Sequence, residues 1–208
     1  MPRMPLPEKV APSKTALIVV DMQNDYCHPQ GSLAQRGYST EASEAIVPTL
    51  NGLIDAAHAA GTPIIFIQTI HTEATDSAAW LERSNHSASI CRPGSFGIEF
   101  FGVTPQPQDT IVNKHRYSAF IGTRLDQVLR ALKVETLIMT GVATNVCVES
   151  TARDGFMLDY HIVFLSDCTA TSHAEAHEAT LANINRHFGV VATAEEVINA
   201  WTRVPELV

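Results

Sequence analysis

Short, unbroken apolar runs recur along this chain, and each gives way to a longer stretch whose apolar residues fall at helical spacing. TALIVV (Thr15–Val20), PIIFIQ (63–68), TIVN (110–113), TLIMTG (136–141), HIVFLSD (161–167) and VVAT (190–193) read as strands. Segments 41–60, 78–83, 121–133, 144–155, 172–188 and 194–201 read as helices. In the last-but-one, Ser172 and Glu175 stand three apart, a capping-box pattern. A strand with one wet face alternates apolar and polar residues, whereas a strand covered on both faces does not. Continuous runs alternating with helices therefore predict an α/β fold. The expected form is a doubly wound parallel sheet of about six strands with helices on both faces. Between Thr69 and Asp109 glycines and prolines break the rhythm, so long loops are expected there around the short helix 78–83.

With 208 residues the chain suits one domain, expected over residues 15–208, preceded by a Pro-rich surface arm over residues 1–14. Hydrophobic residues at 45% and charged residues at 17% fit a packed core and exclude a disordered polymer. The net charge of −8, with no basic cluster, argues against a nucleic-acid partner. The apolar runs are too short to span a bilayer, and the N-terminus lacks the apolar core of a secretory signal. A cytoplasmic protein with no membrane partner is the expectation. Its four cysteines, Cys27, Cys91, Cys147 and Cys168, form no CxxC pair. Each, taken alone, reads as a small buried hydrophobe.

Ligands of an open parallel sheet bind beyond the carboxyl ends of its strands. Three chemically able side chains are delivered there. The first strand runs into Asp21, the third into Lys114, and the fourth into a turn that puts Cys147 at the start of a helix. Singly these are a turn acid, a solvated lysine and a structural thiol. Together they make a nucleophile, a proton acceptor and a cation. A helix start and a nearby ammonium are both expected to lower the thiol pKa. Asp21 is placed to take the thiol proton as general base and return it to a leaving amine. Backbone N–H groups of Cys147 and of the Val142–Thr144 turn are candidate oxyanion donors.

The segments TALIVVDMQNDY, KHRYSAF and TGVATNVCVESTARDGF resemble the isochorismatase-like cysteine hydrolase family. The resemblance extends roughly over residues 15–197. It implies a Rossmann-like sheet and a catalytic triad of Asp21, Lys114 and Cys147. It also implies a cis peptide between Val142 and Ala143, homo-oligomers (dimer or tetramer), and no cofactor. The nearest branch by resemblance is the ureidoacrylate and carbamoyl-amide amidohydrolases, so the expected partner is a small amide or ureide substrate. Isochorismatases of this fold lack the cysteine nucleophile. Nicotinamidases carry a metal-binding Asp-x-His, but Gln68-Thr69-Ile70-His71-Thr72 has no aspartate at that place. His86 is isolated, and His173 with His177 lack a third ligand, so no metal is expected. Candidate substrate contacts are Asn24, Tyr26, Trp80, Tyr117 and Phe120; Thr144 and Asn145 are expected to brace the turn. Two other readings compete: a binding protein without turnover, and a redox enzyme pairing Cys147 with Cys168.

Overall fold

The computed structural model describes residues 4–83 and 89–202. Six parallel strands form one sheet: β1 Thr15–Val20, β2 Ile64–Thr69, β3 Thr110–Lys114, β4 Thr136–Val142, β5 His161–Ala170 and β6 Val190–Ala192. Their order is β3-β2-β1-β4-β5-β6. The chain thus starts in the middle, winds to one edge, and crosses back to build the other half from β4. The crevice that such a reversal opens lies between β1 and β4 at their carboxyl ends. It is there that Asp21 and the turn after Val142 stand.

Both faces of the sheet are covered, which is why the strands read as unbroken apolar runs. Leu17, Val19, Ile64 and Phe66 pack on one face with Leu50, Leu53, Val197 and Trp201. The first two of these partners come from α4 (Val47–Ala60) and the last two from α9 (Ala194–Thr202). Ala16, Ile18, Val20, Ile65 and Ile67 fill the other face with Leu125, Leu129, Val148 and Ala152. These belong to α6 (Leu125–Ala131), the turn after β4, and α7 (Glu149–Met157).

Three local readings change. The predicted helix 41–60 is two helices, α3 (Glu41–Ala45) and α4, that break at Ile46. Pro48 has no N–H to continue the ladder and instead suits the first turn of the second helix. The helix expected from residue 121 begins only at Leu125, where the Leu125 N–H bonds Thr123 Oγ1 at 3.1 Å. The helix α8 (Ala174–His187) starts beyond Ser172 and has His173 at its cap position, so no capping box forms. Ser172 Oγ is paired with His173 Nδ1 at 2.9 Å instead. Residues 4–14 run along the surface and are pinned at one point. Val10 is fully buried, and its carbonyl accepts a 2.7 Å bond from Trp201 Nε1.

Candidate active site

β1 ends against Asp21, whose φ of 50° is left-handed, a conformation aspartate tolerates better than most residues. Its N–H is held by Ile67 O at 3.0 Å. Beside it Gly141 has φ 99°, and a Cβ there would lie 2.0 Å from Val20 O. Only glycine allows β4 to come this close to β1 just before the reactive turn.

Lys114 is the last residue of β3, and only 1% of its side chain and of that of Asp21 is exposed. Its Nζ stands 2.7 Å from Asp21 Oδ2. It also donates to Arg116 O at 3.0 Å and to Cys147 Sγ at 3.4 Å. Asp21 Oδ1 accepts from Thr69 Oγ1 at 2.9 Å. Oδ2 faces the Lys114 ammonium, and the Asp21 carboxylate lies within hydrogen-bond reach of the Cys147 thiol. Gln23 fixes this arrangement from behind. Its Oε1 accepts from Thr69 N at 2.7 Å, while its Nε2 donates to Thr69 O and Ile98 O, each at 3.0 Å.

Cys147 sits in a single π-helical turn, Thr144–Val148, that leads into α7. The Val142–Ala143 peptide is cis. The Ala143 carbonyl accepts from Val146 N at 3.0 Å and Val148 N at 3.2 Å, closing the turn. Thr151 Oγ1 donates to Cys147 O at 2.7 Å and accepts from Ala119 N at 3.0 Å, tying the thiol's turn to the loop beyond Lys114. Thr144 Oγ1 pairs with His177 Nδ1 at 3.0 Å, so His177 holds the turn.

The electrostatics correct one expectation. Burial pushes the Cys147 thiol up, Lys114 pulls it down and Asp21 raises it again; the net result is about 12. The cation is present as expected, but desolvation of a thiolate in this closed site outweighs it. At rest Cys147 is therefore a neutral thiol. For Lys114, burial alone would lower the pKa, but Asp21 and then Cys147 raise it, and the net shift is upward. The ammonium stays charged.

The sequence model of the Isochorismatase domain matches residues 15–196 of this chain. This chain belongs to the isochorismatase family. It is 35% identical to a ureidoacrylate amidohydrolase RutB of Stutzerimonas stutzeri (strain A1501), over 100% of this chain and 90% of that protein. It is also similar to the crystal structure of a cysteine hydrolase from Pseudomonas syringae pv. phaseolicola 1448A. The TM-score there is 0.86 at 34% identity, covering 92% of this chain and 93% of that one. An N-carbamoylsarcosine amidase from Thermoplasma acidophilum gives a TM-score of 0.74 at 27% identity, over 88% and 97% of the two chains.

Around this isochorismatase-family centre the other candidates divide. Asn24 is buried and donates its amide to Phe96 O at 2.9 Å, bracing a loop. Phe120 packs on Tyr160, 5.9 Å between centroids, just ahead of β5 at the amino edge of the sheet, away from the triad. Tyr26 lies near the reactive groups: burial raises its hydroxyl pKa, and Cys91, Asp21 and Cys147 add to the shift. Tyr117 and Trp80 stack at 5.0 Å, and Trp80 meets His71 at 5.2 Å. His71 in turn lines a cavity of about 490 Å³ together with Thr72, Glu73, Asp76, Arg92 and Pro93.

The sequence reading passed over several residues. Gln23 and Asp25 were hidden inside DMQND because their work depends on loops far along the chain. Asp25 Oδ2 accepts from Cys91 N at 2.6 Å, and Oδ1 from Ser32 N at 3.1 Å. Thr69 and Thr151 carried no local signal, and His71 was weighed only as a metal ligand. His86 lies outside the described residues. Among the described residues no group of three or more His, Cys, Asp or Glu side chains could hold a metal. No helix among them is long and apolar enough to cross a membrane. Cys168 packs on the opposite face of the sheet from Cys147, which removes the redox pairing.

Proposed function

We propose that Cys147, Asp21 and Lys114 form a nucleophile, proton carrier and cation that hydrolyse a small ureide or carbamoyl amide through a thioester. The chain is a hydrolase acting on carbon–nitrogen amide bonds. The observation that carries the finer reading is the buried Lys114 ammonium, 2.7 Å from Asp21 Oδ2 and 3.4 Å from Cys147 Sγ. It joins the Asp21 carboxylate to a thiol that holds its proton.

The substrate carbonyl enters beside Sγ. Asp21 Oδ2 takes the thiol proton as Sγ attacks the carbonyl carbon. Negative charge passes to the carbonyl oxygen, where N–H groups of Ala143 and Cys147 and the Lys114 charge receive it. As the tetrahedral adduct collapses, Asp21 gives its proton to the departing nitrogen and the carbon–nitrogen bond breaks. Water then attacks the thioester with Asp21 again taking a proton. The carbon–sulfur bond breaks and the proton returns to Sγ. If ammonia is the departing amine, hydrolysis of the acyl-enzyme releases an N-substituted carbamate that loses carbon dioxide; if the substituted amine departs, the released carbamate decomposes to ammonia and carbon dioxide. Substrates of the two named relatives, ureidoacrylate and N-carbamoylsarcosine, both carry a terminal ureido group, and that class is proposed here.

The test is ammonia release from ureidoacrylate, N-carbamoylsarcosine, 3-ureidopropionate and nicotinamide, with Cys147→Ser and Asp21→Asn as controls. Wild type is expected to release ammonia from at least one ureide and to show a covalent adduct on Cys147 by intact mass. Activity that survives Cys147→Ser, or wild type inert on every ureide, overturns the reading.

A further inference from the structure

His71 is a residue whose burial the family chemistry above leaves unexplained. It stands two residues beyond the end of β2, and its backbone N–H is fixed by Cys91 O at 3.1 Å. Only 3% of the residue is exposed, yet Nδ1 has no hydrogen-bond partner among the described residues. A buried polar nitrogen without a partner costs about 1–3 kcal/mol and calls for an explanation. Nε2 also lacks a partner among the described residues, but it is not enclosed as Nδ1 is. The ring lines the 490 Å³ cavity and lies within electrostatic reach of Lys114 and Asp21. It therefore stands where the open cavity meets the reactive cluster.

The protonation state follows from its surroundings. Burial lowers the imidazole pKa, Lys114 and Arg92 lower it further, and Asp76 and Asp21 oppose them; the result is about 4. The ring is neutral at physiological pH and carries one proton. Orphaned buried N–H donors are rarer than under-satisfied acceptors. The enclosed Nδ1 is thus the bare nitrogen, and Nε2 bears the proton on a ring that lines the cavity. Trp80 at 5.2 Å and Tyr117 beyond it hold the ring in place.

We infer that His71 is a specificity-determining residue. Its Nε2–H donates to an acceptor oxygen that the substrate carries on its far side from the scissile bond. This rests on the ureide reading and narrows it to ureides with a carboxylate or carbonyl on the other end. Arg92 is paired with Asp76 at 2.6 Å and Lys114 with Asp21 at 2.7 Å, and Glu73 lines the same cavity, so the selection rests on the Nε2–H donor and not on net charge. The neutral ring also sets no additional proton-transfer step, so His71 contributes to binding and not to chemistry.

A matched pair of probes reads this directly. 3-Ureidopropionate and propylurea share the ureido group and chain length but differ in the carboxylate. His71→Phe keeps a ring against Trp80 and loses the donor; His71→Gln keeps a donor. For 3-ureidopropionate, His71→Phe is expected to raise KM about tenfold, the scale of one hydrogen bond, with kcat little changed. His71→Gln recovers part of the loss, and propylurea turnover does not move. Equal losses on both compounds, or no loss on either, overturn the assignment. If wild type turns over neither ureide, the hydrolase reading fails by itself, and the contact is then read in Cys147→Ser by 15N-histidine NMR. There His71 is expected as the neutral tautomer protonated at Nε2, its Nε2–H signal shifting with 3-ureidopropionate and not with propylurea. A His71 that titrates near 6.5, the tautomer protonated at Nδ1, or equal response to both compounds sinks it.

Discussion

Neutralising one member of the Asp21–Lys114 pair should destabilise the whole fold, and neutralising both should not. At 2.7 Å the attraction is about 6 kcal/mol in a medium of effective dielectric 20, and desolvation of both ions offsets much of it. Asp21→Asn removes the attraction but leaves a desolvated ammonium with 1% of its side chain exposed. Lys114→Met leaves the carboxylate in the same state. Breaking a buried pair from one side costs about 3–5 kcal/mol. For a chain of this size that is a fall in Tm of about 6–20 °C. The double variant leaves no buried charge at these two positions. It keeps the Thr69 bond to an oxygen at position 21 and loses the donor to Arg116 O, a net loss of about 1 kcal/mol. Its Tm should therefore recover to within a few degrees of wild type, while turnover stays absent in all three variants. Denaturant unfolding by circular dichroism, run beside ammonia release, measures both. Single variants within about 1 kcal/mol of wild type, or a double variant as unstable as the sum of the two, would refute the claim that the pair is one electrostatic unit.

Three further outcomes follow from the same geometry. With the Cys147 pKa pushed up to about 12, iodoacetamide alkylation should be slow at pH 7 and climb with pH as long as the fold persists; a rate already level at pH 7 would show a resting thiolate instead. The raised Cys147 and Lys114 values also favour the folded state below the ordinary thiol and amine pKa values, and that contribution should be lost on the alkaline side as pH climbs through the folded values, never on the acid side; pH-dependent unfolding curves check it. Gly141→Ala places a Cβ 2.0 Å from Val20 O at φ 99°, so soluble expression should fall sharply, whereas Gly52→Ala, which meets nothing within 4 Å, should be tolerated.

Much of this molecule was legible in the chain alone. Unbroken runs such as TALIVV and TLIMTG fixed a sheet buried on both faces, because only such a sheet has no use for polar alternation. Strand ends also announced Asp21, Lys114 and the turn to Cys147, since strand termini and Gly141 are local features. What stayed hidden depends on distance through space. Gln23 looks like any buried glutamine until β2 brings Thr69 against it, and Thr151 gains its role only when the loop at Ala119 folds over α7. The sign of the thiol's pKa shift was beyond the sequence for the same reason: a helix start and a lysine are written in residues, but desolvation belongs to everything packed around them. The lone His71 read as an unremarkable side chain, and only its burial beside a cavity, without a partner for either ring nitrogen among the described residues, gave it a task. Sequence determined the sheet and which reactive groups reach its edge. Tertiary packing decided their protonation, their partners and the shape that a substrate must have.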